Sequence, residues 1–170
     1  MWKIRRISRW PQVFKSAKTK GLCRRAGAFV NAERLLALAL AVVSGVLLVL
    51  AAWLQPDPSG IGTHTQLGLG GCSVLSETGW PCPMCGMTTT FALGLDGRII
   101  AAFKNQPFGV FLLSGTICAF FISTAEFVRP RSRLARCWAW IDRNDTVVAI
   151  CLLFGLVFGW LYKCWRVGVF

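Results

Sequence analysis

Two cysteines with Cys-x-x-Cys spacing are the residues of this sequence best suited to chemistry. Cys82 and Cys85 belong to the run Cys-Pro-Met-Cys-Gly-Met-Thr over residues 82–88. Pro83 biases Cys82 towards extended geometry, and Gly86 with the threonines that follow suits the first turn of a helix. Because unpaired amides and the positive end of a helix dipole lie at such a start, a thiolate is favoured over a thiol there. The pattern predicts two sulfurs held close together and able to react or to bind a metal.

Cys72 and His64, the only histidine of the chain, extend this pair to four candidate residues. Cys82 and Cys85 could exchange disulfides, with Cys72 resolving a mixed disulfide. Alternatively, three thiolates and one imidazole form a ligand set that suits zinc. Cys82 or Cys85 with His64 could also be a nucleophile and base for acyl or peptide chemistry. In an oxidising compartment, a disulfide from Cys72 to Cys82 or Cys85 could instead staple the segment. The residues alone leave these alternatives open.

The composition places these residues in a membrane protein. Hydrophobic residues make up 55% of the chain and charged residues 15%, and the mean hydropathy is +0.55, which is too apolar for an ordinary soluble domain. Uncharged or nearly uncharged stretches over 35–54, 107–128 and 146–162 predict three transmembrane helices, the first about 30 Å long. The first is expected to be an uncleaved anchor, since its apolar core exceeds the roughly 7–15 residues of a signal peptide.

The segment between the first two spans, residues 55–106, contains all four candidate residues. After the cysteine motif, residues 86–103 predict two short helical pieces around the turn Asp96-Gly97. Each piece is too short to cross a bilayer, so we expect an interfacial or re-entrant helical hairpin. The predicted fold class is therefore all-α: an integral membrane protein with about three transmembrane helices and one short hairpin.

The distribution of lysine and arginine predicts the orientation. Of the 19 such residues, ten lie in the basic tail 1–34 and five in the loop 129–145, whereas segment 55–106 and the short tail 163–170 carry two each. The positive-inside rule then places the N-terminus in the cytoplasm and the cysteine motif outside. The net charge of +12 indicates attraction to anionic lipid headgroups, and we expect no nucleic acid partner.

The sequence lacks the usual signatures of a cofactor-dependent enzyme. Residues 68–71, Gly-Leu-Gly-Gly, do not complete a Gly-x-Gly-x-x-Gly pattern, and no phosphate-binding loop is found. The cores of the predicted spans carry no carboxylate or lysine of the kind that lines an ion path. We therefore expect neither a conventional enzyme nor a transporter acting alone.

The cysteine motif resembles that of the bacterial membrane family called domain of unknown function 2752. The resemblance covers roughly residues 56–128 and includes an Ala-Ala-Phe stretch and a Pro-Phe-Gly start to the second span. The positions that match the family's motif are His64, Gln66, Leu67, Gly68, Cys72, Thr78, Gly79, Cys82, Pro83, Cys85, Gly86, Thr88 and Pro107. Thr89 stands where members often have arginine, and Gln106 where an asparagine is common. The resemblance implies a small multi-pass helical protein of the bacterial inner membrane and no established activity.

Together these features predict a membrane protein whose outward cysteine cluster binds metal, zinc being one candidate, or acts as a thiol-disulfide pair. The spans would dock an unknown membrane protein partner, to which this chain is accessory. The rival hypothesis is a structural or assembly factor without catalytic activity, in which the cysteines only staple the loop.

Overall fold

The computed structural model describes the backbone of residues 15–168 and the side chains of residues 33–168. This part of the chain forms α-helices and one short 3-10 helix, Thr63–Leu67, without a β-strand, which confirms the predicted all-α class. The α-helices are α1 (Lys15–Trp53), α2 (Ser73–Thr78), α3 (Met87–Leu95), α4 (Ile99–Asn105), α5 (Pro107–Val128), α6 (Arg133–Arg143) and α7 (Asp145–Val167). Residues 1–14 of the predicted cytoplasmic tail and residues 169–170 lie outside the described residues.

Three helices are long and apolar enough to cross a membrane, as predicted. They are Glu33–Trp53 within α1, Pro107–Val128 and Asp145–Val167, with mean hydropathies of 2.8, 1.9 and 2.1. Their surfaces expose large apolar side chains such as Val49, Phe111 and Phe154. In water such surfaces would be unfavourable, whereas a bilayer covers them.

Two helices extend beyond the predicted spans. Helix α1 already begins at Lys15, because residues 15–34 lack proline and are rich in alanine, lysine and arginine, which favour helix. Helix α7 continues past residue 162 to Val167. The lysine at position 163 does not end this helix, because its ammonium group finds hydrogen-bond acceptors inside the protein. Helix α6 lies within the predicted loop 129–145.

The short helices α3, α4 and α6 pack against the spans. Helix α1 packs along α5, and α5 also contacts α7. Helices α3 and α4 contact each other on either side of the Asp96-Gly97 turn, and α3 rests on α1 and α5. The helical hairpin therefore brings the cysteine motif, which precedes α3, against the transmembrane helices.

Gly109 of α5 allows α3 to approach closely. A Cβ atom at this position would lie 2.9 Å from Cγ2 of Thr90 and 3.1 Å from Sδ of Met87. Both are side chains of α3, so the absence of a side chain at Gly109 sets the distance between the two helices. At Gly115, two turns further along α5, no atom lies within 4 Å of an added Cβ.

We expect Gly109→Ala to destabilise the protein by about 1–3 kcal/mol, because the added methyl group overpacks the α3 contact. Gly115→Ala is the matched control on the same helix, and it should leave stability unchanged or raise it by up to about 1 kcal/mol through helix propensity. Thermal unfolding of both variants in detergent checks the pair. Equal midpoints would contradict the close contact between α3 and α5.

Candidate metal and thiol centre

The backbone around the cysteine motif forms a tight turn that leads into α3. The amide of Cys85 donates to the carbonyl of Cys82 at 2.9 Å, and the amide of Cys82 donates to Sγ of Cys85 at 3.3 Å. Gly86 follows as the N-cap of α3 with φ of 84°. This left-handed conformation is strained for residues with a side chain, which explains a glycine directly after Cys85.

Three sulfur atoms converge at this turn. Sγ of Cys85 lies 3.3 Å from Sγ of Cys82 and 3.4 Å from Sγ of Cys72, and all three atoms lie within 4.8 Å of one another. Cys72 reaches the turn from the N-cap of α2. Cys85 is buried, while Cys72 and Cys82 are half-buried. Cys85 is thus the central member of the cluster, which we call the cysteine triad.

The members of the triad differ in acidity. A hydrogen bond from the backbone of Leu75, helped by the neighbouring Cys85 thiol, lowers the pKa of Cys72 to about 7. Burial, reinforced by Cys82 and Cys72, raises the pKa of Cys85 to about 12. At neutral pH the Cys72 sulfur of the metal-free protein is therefore partly thiolate, whereas Cys85 needs a nearby cation to lose its proton.

His64 lies beside the triad but is not part of it. A cavity of about 370 Å³ is lined by His64 together with Cys72, Cys82 and Cys85. The imidazole is half-buried and makes no hydrogen bond within residues 33–168. Of the four candidate residues, the structure brings the three sulfurs together and leaves the histidine at the wall of the same cavity.

A buried lysine of α7 lies behind the triad. Lys163 is 3% exposed, and its ammonium donates to the carbonyl of Gly60 at 3.0 Å and to Oδ1 of Asn105 at 2.7 Å. Asn105 in turn donates to the carbonyl of Gly86 at 3.0 Å. A Cβ atom at Gly86 would lie 2.8 Å from the lysine nitrogen. The lysine charge therefore sits against the residue that follows Cys85.

Two further side chains, one from α7 and one just before α5, hold the proline-rich backbone of the motif. The indole of Trp160 donates to the carbonyl of Pro81 at 2.7 Å, and the amide nitrogen of Gln106 donates to the carbonyl of Pro83 at 3.3 Å. Gln106 is fully buried, and its Oε1 has no hydrogen-bond partner within residues 33–168. The position of Cys82, between these two prolines, is thus set by α7 and by the residue that precedes α5.

Sequence reasoning did not identify Lys163, Asn105 or Trp160 as parts of the site. Lys163 was expected in the tail after the third span, and its role depends on acceptors 58 and 103 positions away in the chain. One signal was present: Cys164 and Trp165 follow the lysine, so it lies between apolar residues and not after the last of them. An isolated lysine in such a setting indicates a paired internal charge.

Fold and site together define a multi-pass helical membrane protein with a cysteine triad held at one end of its spans. The sequence model of the family described as "Protein of unknown function (DUF2752)" matches residues 72–120, which confirms the resemblance predicted from the cysteine motif. The match contains all three cysteines of the triad, whereas His64 precedes it. No curated protein and no solved structure gives a significant match.

We expect the metal-free, reduced protein to be alkylated at pH 7 faster at Cys72 than at Cys85. The lower pKa of Cys72 supplies thiolate at this pH, whereas Cys85 is buried and its pKa is raised. Raising the pH to 9 should increase the rate at Cys72 by only about twofold, since a group of pKa near 7 is already half ionised. Site-resolved mass spectrometry after timed iodoacetamide treatment measures the order. The exposed Cys137, outside the triad, reports the activity of the reagent. Cys85 reacting as fast as Cys72 would contradict the assignment.

Proposed function

We propose that the protein binds a thiophilic divalent ion, with zinc as the best candidate, through Cys72, Cys82 and Cys85 at the membrane surface. The observation that supports this proposal is the convergence of three sulfur atoms within 4.8 Å of one another. Zinc binds thiolates at about 2.3 Å in tetrahedral geometry, which separates its sulfur ligands by about 3.8 Å. The observed separations of 3.3 and 3.4 Å need only small adjustments to reach that value.

His64 is the fourth ligand in this proposal. Three thiolates and one imidazole complete a tetrahedral zinc site of the Cys₃His type. The histidine lines the same cavity, and no hydrogen bond within residues 33–168 holds its ring away from the sulfurs. A side-chain rotation together with movement of the neighbouring loop would bring one ring nitrogen to the ion.

The charge of Lys163 favours such a centre. Three thiolates around a divalent ion leave a net charge of −1, which is costly in a partly buried position without a counter-charge. The lysine ammonium interacts electrostatically with Cys85 and lies against Gly86. It therefore offsets the negative charge of the metal-bound thiolates.

Thiol-disulfide exchange is the second candidate, and the 3.3 Å separation of the Cys82 and Cys85 sulfurs favours it. A disulfide requires about 2.05 Å, which a modest change of side-chain torsion supplies. Cys72, with its lowered pKa, would then be the attacking or resolving thiolate. Under either candidate the protein is accessory to a membrane partner, to which the exposed apolar surfaces of its candidate spans would dock.

Purified protein should contain about one zinc ion per chain, and replacing any one of Cys72, Cys82 or Cys85 with serine should remove it. Cys118→Ser and Cys151→Ser are matched controls, since both residues are exposed on the spans, away from the triad. We expect His64→Ala to weaken metal binding by at least about tenfold without changing the helical content. Metal analysis and competition with a chromogenic chelator measure both effects.

Other results would contradict the metal proposal. Metal-free native protein with a reducible bridge between Cys82 and Cys85 would favour thiol exchange, and a Cys82→Ser variant that accumulates a mixed disulfide with a partner would strengthen that conclusion. Loss of protein level in the serine variants, with neither metal nor a mixed disulfide in the native protein, would leave the disulfide staple as the explanation.

We further propose that the cysteine triad faces outward from the cytoplasm. The count of lysine and arginine supports this orientation, and three of the five counted in the loop 129–145, Arg133, Arg136 and Arg143, lie on α6 at the opposite end of the spans. A membrane-impermeant maleimide should label Gly70→Cys in intact spheroplasts but reach Cys137 of α6 only after the membrane is permeabilised. Gly70 is suitable because an added Cβ meets no atom within 4 Å. The reverse labelling pattern, read by mass spectrometry of the peptides, would contradict the orientation.

A further inference from the structure

A second cavity, separate from the triad, carries an excess of positive charge. Its volume is about 300 Å³, which falls at the lower end of the range for small-ligand sites. Three cationic side chains line it: Arg98 before α4, Lys104 within α4 and Arg166 in the last turn of α7. The loop of residues 56–60 forms the facing wall. We propose that this cavity binds a phosphate group, carried by a phospholipid headgroup or by a soluble phosphate.

The three cations are available to a ligand. Arg98, Lys104 and Arg166 are exposed, and their charged groups form no hydrogen bond or ion pair with residues 33–168. Guanidinium groups bind phosphate oxygens in a bidentate manner, and lysine adds a point charge. No ion pair within that range neutralises these three charges, although chain folding has gathered them from two different helices and a turn.

Asp57 is the acidic group at this cavity, and its carboxylate already has partners. It accepts hydrogen bonds from the amide of Ser59 at 2.8 Å and from the hydroxyl of Ser59 at 2.6 Å, and these bonds lower its pKa. Lys163 adds a fourth positive charge behind the wall, because its ammonium donates to the carbonyl of Gly60. The cavity therefore has three positive charges in its lining and a fourth behind its wall, and one negative charge, that of Asp57.

The cavity also lies at the level where phospholipid headgroups are found. The loop of residues 56–60 follows the end of the first candidate span at Trp53, and Arg166 lies one residue before the end of the third, at Val167. The exposed side chains of Trp53 and Trp165 fit the aromatic belt at a membrane interface. A phosphate bound here would lie at the membrane surface, which a lipid headgroup reaches without leaving the bilayer.

Calorimetry tests the proposal. It measures the binding of short-chain dihexanoyl phosphatidic acid to the purified full chain in phosphate-free detergent. Dihexanoylglycerol, which lacks the phosphate, is the chemical control and should not bind. The triple variant Arg98→Gln, Lys104→Gln, Arg166→Gln should bind at least about tenfold more weakly than wild type. The variant Arg129→Gln, Arg131→Gln, Arg143→Gln removes the same charge at the other end of the spans and should bind as wild type does. Should the first triple variant fail to fold, the single changes Arg98→Gln and Arg166→Gln provide the same comparison.

Competition with inorganic phosphate identifies the source of the ligand. If phosphate displaces the lipid, the proposal is supported and the phosphate group is the main determinant of binding. If phosphate does not displace it, the proposal is supported and the ligand is a lipid. Equal binding by wild type and the cavity variants would overturn the proposal. Binding of dihexanoylglycerol as tight as that of the phosphatidic acid, or an equal loss in the control variant, would overturn it as well. None of these results depends on the metal content of the triad.

Discussion

The buried ammonium group of Lys163 is the constraint on which the rest of the site depends. A charge that is 3% exposed is tolerated only when acceptors surround it. Gly60 and Asn105 provide these acceptors, and Gly86 leaves the space that the ammonium occupies. One side chain thereby joins the loop after α1, the end of α4, the start of α3 and the third span.

This constraint explains why the cysteine motif cannot be understood as an isolated loop. The carbonyl groups of Pro81 and Pro83 accept hydrogen bonds from Trp160 and Gln106, which lie outside the turn. These donors come from α7 and from the start of α5, whose positions depend on packing between the spans. The sulfurs of Cys82 and Cys85 are thus placed by the membrane helices, although the Cys-x-x-Cys spacing alone keeps them near each other.

The sequence predicts the features that depend on local residues, and it misses those that depend on contacts between distant segments. Hydropathy and length predict the three candidate spans because a bilayer imposes these properties on each segment separately. Local spacing likewise predicts that Cys82 and Cys85 lie together before a helix. Cys72 is a candidate from its place in the same segment, and the structure brings its sulfur to the other two. The hydrogen bonds that bury Lys163 join distant segments, so the sequence does not predict its acceptors. His64, which the sequence offers as a fourth ligand, lines the cavity at the triad, and its role as a ligand stays a prediction.

A single residue lies between the lysine behind the cysteine triad and the cavity that three cations line. Gly60 lines the cavity of Arg98, Lys104 and Arg166, and its carbonyl accepts the hydrogen bond of Lys163 on the side nearer the triad. The raised pKa of Cys85 means that its thiolate needs a cation, which Lys163 supplies in part and a metal ion would supply more strongly. An anion in the cavity would attract the same ammonium from the other side of Gly60. Gly60 is thus the residue at which the wall of this cavity meets the lysine that lies against the triad turn.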